Sequence, residues 1–523
     1  MKKLIVFLIV SFASFNISAQ DKPQTGEKDQ SKVKTDEKSD EKLKADGTEA
    51  ETTKTEVSKD ASSIDQPPAT PVKPVRPVPL AVKRPKDKEK KESDDKKTKE
   101  IDKVAKETHK KDTKIRVEAR VSHHKVYNPR KGISIGKKGW RLELGGFVRL
   151  DAIYNTEGVF MLDSPGFAYP EDQSRGGNLS FSARATRLRA NFMAPRLGNW
   201  KPSALYEIDF YGNLPESSTS IRQSQLRMRL AYLELKNSGL TLRAGNDWMV
   251  AAPNFSATME IFNLWGQGNI WMRYPQIKAD YKHSFNRHLR LEAAASAGNS
   301  MGGDGPKTAQ VNDGGIGEFS KFPVFQARLG AGFKLPGSEW SSIGVSGSWQ
   351  RLDLTAHDDV HNNEEAITNL ENADSAQLDS YFFAVDAKLN YSINKVKIQG
   401  TFEYHMGQAI GMYWGGIIQT FDFVRESGVI TDANPIKSIG YFADLKVLFP
   451  CGFGFMGGYG INNVDEDDLT TSNRSSNRII YGGLTYKLGP VIFGLGASRL
   501  DTEYTVGSDG KNMTFHGFTT IKF

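Results

Sequence analysis

The 523-residue sequence predicts an all-β fold, a transmembrane antiparallel β-barrel of about 16 strands preceded by a disordered, charged N-terminal extension. Three observations predict it. Sixteen segments alternate apolar with polar residues at a period of two, the strand period. The connections between them alternate strictly between long and short, as in outer-membrane barrels with loops at one rim and tight turns at the other. The last segment, MTFHGFTTIKF, ends on Phe523, with Met513, Phe515, Ile521 and Phe523 in one phase.

The segment Ser380 to His405, SYFFAVDAKLNYSINKVKIQGTFEYH, shows the alternation. Tyr381, Phe383, Val385, Ala387, Leu389 and Tyr391 fall on one side; Ala384, Asp386, Lys388 and Asn390 fall on the other, and Phe382 breaks the pattern. A greasy face pointing at lipid and a wet face pointing at the lumen satisfy both sets. The mean hydropathy of −0.49 does not oppose this, because half of every barrel strand is polar.

Taken in order, the chain opens on MKKLIVFLIVSFASFNISAQ, whose two lysines, apolar core and small-residue exit at Ala19 read as a signal peptide over residues 1–19. Residues 20–136 form the expected extension, rich in Lys, Asp, Glu, Ser, Thr and Pro and too poor in large apolar residues to offset chain entropy. Within it, Pro67 to Pro85 favours extended polyproline conformations, and the charged run after it is compatible with partial helix. Residues 21–130 hold 24 Lys and 5 Arg against 23 Asp plus Glu, a net +6; Lys2 and Lys3 add two, leaving −1 for the remainder of a total of +7. The basic balance thus belongs to the tail. Mixed signs without aromatic interleaving exclude a nucleic-acid partner, favour a solvated spacer and leave contact with an anionic envelope polymer open.

The barrel spans residues 137–523. Its expected strands are Trp140–Tyr154, Phe181–Ala194, Ala204–Tyr211, Leu226–Leu235, Leu240–Trp248, Trp271–Tyr281, His288–Ala297 and Val324–Leu335. They continue with Ile343–Arg351, Tyr381–Tyr391, Val396–His405, Ile439–Phe449, Gly452–Ile461, Arg478–Leu488, Val491–Leu500 and Met513–Phe523. A single cysteine, Cys451, excludes an internal disulfide scaffold and reads as a buried or lipid-facing residue in a short turn.

If one phase faces lipid, the other lines the lumen. Leu142, Leu144, Val148 and Leu150 go outward, leaving Arg141, Glu143, Arg149 and Asp151 inside. The next strands place Arg187 and Arg189, then Arg227 and Arg229, inward, the latter pair against outward Leu226, Met228 and Leu230. Arg243 and Lys278 extend this basic wall, and Glu207, Asp209, Asp247 and Asp280 answer it. Two readings follow: cross-strand charge pairs that stabilise the sheet, or an arginine ladder that attracts carboxylates and phosphates bidentately. The connection Met249 to Ile270, MVAAPNFSATMEIFNLWGQGNI, is rich in aromatic residues, and Phe255, Phe262 and Trp265 mark it as a loop folded inward to narrow the lumen, with rim capping or subunit contact as the alternative.

The stretches GWRLELGGFVRLDAIYNTEG, FSARATRLRANFMAP, ALYEIDFYGN, LRMRLAYLEL and LRAGNDWMVAAPNF followed by YPQIKADY resemble the DcaP-like family of outer-membrane porins, closely over Gly139 to Tyr281 and by pattern beyond. The resemblance implies a sixteen-stranded homotrimeric porin with a positively charged constriction passing small anionic solutes, dicarboxylates among them. Arg187, Arg189, Arg227, Arg229 and Arg243 match the arginine-bearing strands. The terminal Phe523 resembles the signal read by barrel assembly machinery. The chain departs from the family in its longer, Pro-interrupted extension, which lacks clear heptads.

No phosphate loop, zinc spacing or nucleophile–base pattern stands out, so no enzyme, cofactor or metal is expected; His357 to Glu365 and Asp465 to Asp468 read as solvated acidic loops. The expected function is a passive diffusion channel in the outer membrane, with membrane lipid around it and the extension in the periplasm. A barrel serving mainly as an anchor or adhesin is the alternative.

Overall fold

The computed structural model describes residues 133–137, 139–174, 176–212, 224–302, 315–470 and 473–523. The expected signal segment and nearly all of the expected extension lie outside the described residues.

The wall begins with β1 (Ile133–Lys137), β2 (Trp140–Asn155), β3 (Asn178–Ser182), β4 (Arg187–Met193), β5 (Lys201–Gly212), β6 (Gln225–Lys236), β7 (Leu240–Trp248) and β8 (Arg273–Ser284). It continues through β9 (Leu289–Gly298), β10 (Val324–Lys334), β11 (Trp340–Asp353), β12 (Gln377–Ile393) and β13 (Val396–Gln408). After a separate hairpin of β14 (Phe421–Glu426) and β15 (Val429–Pro435), the wall resumes with β16 (Lys437–Leu448), β17 (Phe453–Val464), β18 (Arg474–Leu488), β19 (Val491–Tyr504) and β20 (Gly510–Lys522). Two helices, α1 (Ile316–Phe319) and α2 (Glu364–Asn372), sit in long connections.

Each wall strand pairs antiparallel with its neighbours, and β20 pairs back onto β2 from Phe147↔Lys522 to Asn155↔Thr514, which closes the ring. Because β3 and β4 both pair with one edge of β2, they occupy one wall position, and the closed barrel has sixteen. Closure removes every sheet edge from the apolar medium, the condition for a strand-built membrane span. β1 pairs with the end of β2 that β20 leaves uncovered, adding a short strand within the stretch expected as extension. The main chain of Phe523 exchanges both hydrogen bonds with Gly146, at 3.1 and 3.2 Å, so the expected terminal signal residue is part of the closing seam.

The two faces separate as alternation requires. Tyr381, Phe383 and Leu389 are 41–48% exposed on the outside, whereas Asp386 is fully buried inside. Phe382, which breaks the pattern, packs against Tyr413 in the lumen, ring centroids 5.0 Å apart. The lumen is therefore partly filled by protein, and an aromatic residue can point inward.

Three connections do the filling. Residues 249–272 leave β7 and cross the lumen, their main-chain donors met by acceptors on β10, β11, β13 and β16: Val250 N–H on Gln326, Ala252 on Ser346, Asn254 on Glu403 (2.9 Å) and Ala257 on Asp444 (2.7 Å). On the far side, Ser498 donates to Glu260, and the Arg149 guanidinium donates to the Met259 carbonyl at 2.9 Å. The aromatic-rich loop thus folds inward, as expected. The second, after β2, is held by Asp163, which accepts from Arg184, Ser182 and Tyr211. The third follows β13: Trp414 stacks on Trp265 at 4.0 Å and 12°. Ile417 and Ile418 have φ of 52° and 65°, a conformation that costs a β-branched residue energy. Asn462 and Arg474 pin the Ile417 backbone there.

The structure corrects three details of the sequence reading. The second wall strand is interrupted over 183–186, where Arg184 leaves the ladder to hold Asp163. Leu230 faces inward and is buried, because a bulge shifts the β5–β6 register between Glu207↔Leu230 and Ile208↔Met228. β8 begins at Arg273, and Trp271 belongs to the inward aromatic cluster. Of the two readings of Cys451, its exposed position at the turn removes the buried one.

Two outcomes follow. Ile277→Arg, at a position 74% exposed on the outer face, destabilises the folded barrel by about 2–4 kcal/mol in denaturant unfolding from lipid; an unchanged midpoint would contradict the assigned lipid face. A Cβ on Gly460 would lie 2.2 Å from the Gln267 carbonyl. Gly460→Leu should leave the barrel resistant to heat in detergent but make proteolysis between Met249 and Met272 several-fold faster.

Candidate functional site: an arginine cluster at the constriction

β4, β5 and β6 bring five of the predicted residues together. Glu207 and Asp209 stand on β5 with little exposure, and the guanidinium groups of the flanking strands converge on them. Arg227 donates to both Asp209 carboxylate oxygens, at 3.0 and 2.8 Å. Arg229 bridges Glu207 at 2.9 Å and Asp209 at 2.8 Å, and Arg187 approaches Glu207 at 3.6 Å. The bulge explains the bridge: it keeps Arg229 on the inner face beside Leu230, so one guanidinium spans two carboxylates two residues apart.

A residue that sequence reasoning missed completes the cluster. Arg273 lies over Trp248 at 4.8 Å and over Trp271 at 5.3 Å, a cation–π arrangement shared on the Trp248 side by Arg229 at 5.7 Å. Alternation hid it, since Arg273 is in phase with lipid-facing Ile277; its position at the strand end, where the chain turns inward, decides where the guanidinium goes. The nearby Trp and Tyr residues were the available signal.

The charge balance is lopsided here. Arg187, Arg227 and Arg229 share two carboxylates, while Arg273, and Arg189, which is exposed opposite Glu207 in register, form no salt bridge among the described residues. The Arg187 Nε and Arg273 Nη1 atoms are buried without a hydrogen-bond partner among the described residues. Guanidinium donors left over after internal pairing are suited to carboxylate or phosphate oxygens.

The remaining predicted residues form a second, self-compensated group. Arg243 pairs with Glu234 (2.8 Å), Asp247 (3.0 Å) and, more distantly, Asp280 (3.9 Å), while Lys278 pairs with Asp247 at 3.1 Å. Both readings of the basic wall therefore describe part of it: charge pairing holds β7 and β8 together, and cation excess sits on β4, β6 and the start of β8.

Of the constriction residues, Phe262 and Trp265 are buried and stacked on each other at 4.4 Å, forming the packed spine of the inward loop. Phe255 is 40% exposed and stands edge-on to Trp248 at 4.8 Å, flanking the arginine cluster.

No protein-family model matches the chain, and no curated protein does. Among solved structures, the fold is similar to the crystal structure of the outer membrane channel DcaP of Acinetobacter baumannii, with 18% identity, 75% of this chain and 100% of that chain covered, and a TM-score of 0.54. Two others are Salmonella typhi OmpF in complex with daunomycin (13% identity, 75% and 100% covered, TM-score 0.46) and an anion-selective porin from Comamonas acidovorans (12%, 73% and 100%, 0.43). The sixteen-stranded barrel is thus DcaP-like in fold, as the sequence motifs implied.

Proposed function

We propose that the protein is an outer-membrane porin through which small hydrophilic solutes diffuse passively, with a preference for anions of the dicarboxylate type. The observation that carries this reading is the arginine excess at the inward-folded loop, where three guanidinium groups share Glu207 and Asp209 and a fourth, that of Arg273, lies over Trp248 and Trp271. A positive ring in a narrow, low-dielectric passage raises the local concentration of anions and sets selectivity. Two oxygens of a carboxylate match the fork of a guanidinium, so a solute with carboxylates at both ends can exchange from one arginine to the next without full release. Lipid surrounds the apolar outer face, barrel assembly machinery inserts the chain through its last strand, the extension lies in the periplasm, and three copies assemble as a trimer.

Reversal potentials across a planar bilayer under a KCl gradient test the reading. The unaltered protein conducts with chloride favoured, and changing Arg187, Arg227 and Arg229 to alanine brings the preference close to unity. Absence of any conductance would favour the membrane-anchor alternative instead. A second expectation concerns Arg273: Arg273→Gln weakens block of the chloride current by succinate several-fold while an open channel remains, and an unchanged block would remove Arg273 from the site.

A further inference from the structure

The charge at the opposite, short-turn end of the lumen is not used by the constriction. Eight lysines project inward near that end by strand phase: Lys201 on β5, Lys236 on β6, Lys282 on β8, Lys334 on β10, Lys388 on β12, Lys446 on β16, Lys487 on β18 and Lys522 on β20. Their sequence neighbours Leu235, Leu445, Leu488 and Ile521 are the exposed, outward-facing ones. Seven of the eight stand within two residues of the short-turn end of their strand, and Lys388 lies five residues above it.

None of these eight forms a salt bridge among the described residues. Four carboxylates of the same wall are already taken: Glu292 by Arg290 and Arg328, Asp386 by Arg328 at 2.6 Å, Glu234 by Arg243, and Glu339 by Lys397 at 3.3 Å; Asp444 faces Lys446 without a salt bridge to it. Lys201 and Lys236 are directly opposite in register, a like-charge pair that costs sheet stability unless something else compensates. Between β8 and β13 the ring opens on a cavity of about 700 Å³ lined by Lys282, Lys334 and Lys388. Arg328 lines the same cavity across Gly330 and Gly344, where a Cβ would come within 2.9 and 2.5 Å of its guanidinium, and its charge is paired with Glu292 and Asp386. The acidic strings His357–Glu365 and Asp465–Asp468 lie in long connections, at the other end.

We infer that the short-turn mouth is a second anion-binding station, distinct from the arginine cluster, which takes compact polyvalent anions and makes the pore electrically asymmetric. The inference rests on the porin reading. Eight ammonium groups around one opening, none in a salt bridge among the described residues, attract an anion of two or more charges more strongly than chloride, and the attraction is strongest at low ionic strength, where the Debye length is roughly 10 Å at 0.1 M.

The probe is inorganic pyrophosphate added to one side of a bilayer carrying the full chain in 0.1 M KCl. Exposed Cys451, in the short turn between β16 and β17, supplies the orientation: a membrane-impermeant maleimide labels it in proteoliposomes only from the short-turn side, and those vesicles are then fused to the bilayer. The expected result is that pyrophosphate blocks the chloride current at a concentration about tenfold lower from the short-turn side than from the loop side. Changing Lys201, Lys236, Lys334 and Lys487 to glutamine brings the two concentrations together, while arginine at the same four positions retains the difference; heat-resistant migration on gels verifies that both variants fold. Equal block from both sides of the unaltered channel, or asymmetry indifferent to the glutamine substitutions, overturns the station and leaves the porin reading standing. An unaltered chain that conducts nothing overturns both.

Discussion

The constraint on which the rest of the structure depends is that a backbone crossing hydrocarbon must satisfy every N–H and C=O within the protein. A sheet meets it only by closing, and β20 pairing with β2 along nine residues, with Phe523 hydrogen-bonded to Gly146, is where closure is made. Once closed, each strand has one face in lipid and one face enclosed. Lysine, arginine, aspartate and glutamate can then sit in the middle of membrane-spanning segments, because their side of the strand is not in lipid at all.

Enclosure creates a second requirement. Segments that enter the lumen carry backbone donors away from bulk water, and these must also be met. The loop over 249–272 does so without forming a strand or helix: Gln326, Ser346, Glu403 and Asp444, on four different wall strands, accept its main-chain N–H groups. The polar inner face is therefore both a pore lining and a rack for the constriction. The aromatic stack of Phe262, Trp265 and Trp414 joins two inward segments, and the cost of burying them is offset by apolar contact rather than by further hydrogen bonds.

Much of this was legible in the residues. Period-two alternation gave the strand positions to within a few residues, and the long–short rhythm gave the connectivity, because both follow from the repeat of the extended chain and the tilt of a closed sheet. The inward phase of Arg187, Arg227, Glu207 and Asp209 was likewise readable. What alternation could not supply was any place where the count slips. Leu230 and Arg273 were misplaced or missed for that reason, one beyond a bulge and the other at a strand end.

The sequence by itself determined the class of fold, the lipid-facing and lumen-facing residues over most of the wall, and the presence of more basic than acidic groups on neighbouring strands, since all three are properties of a local periodic pattern. Tertiary structure decided which charges cancel. Arg243 and Lys278 are neutralised while Arg187, Arg227 and Arg229 share two acids and Arg273 pairs with neither, and eight lysines at the short-turn mouth are left without salt bridges among the described residues. Pairing depends on distances across strands and on one residue of register, and those are set by closure of the barrel and the bulge at Arg229 rather than by any stretch of sequence read alone.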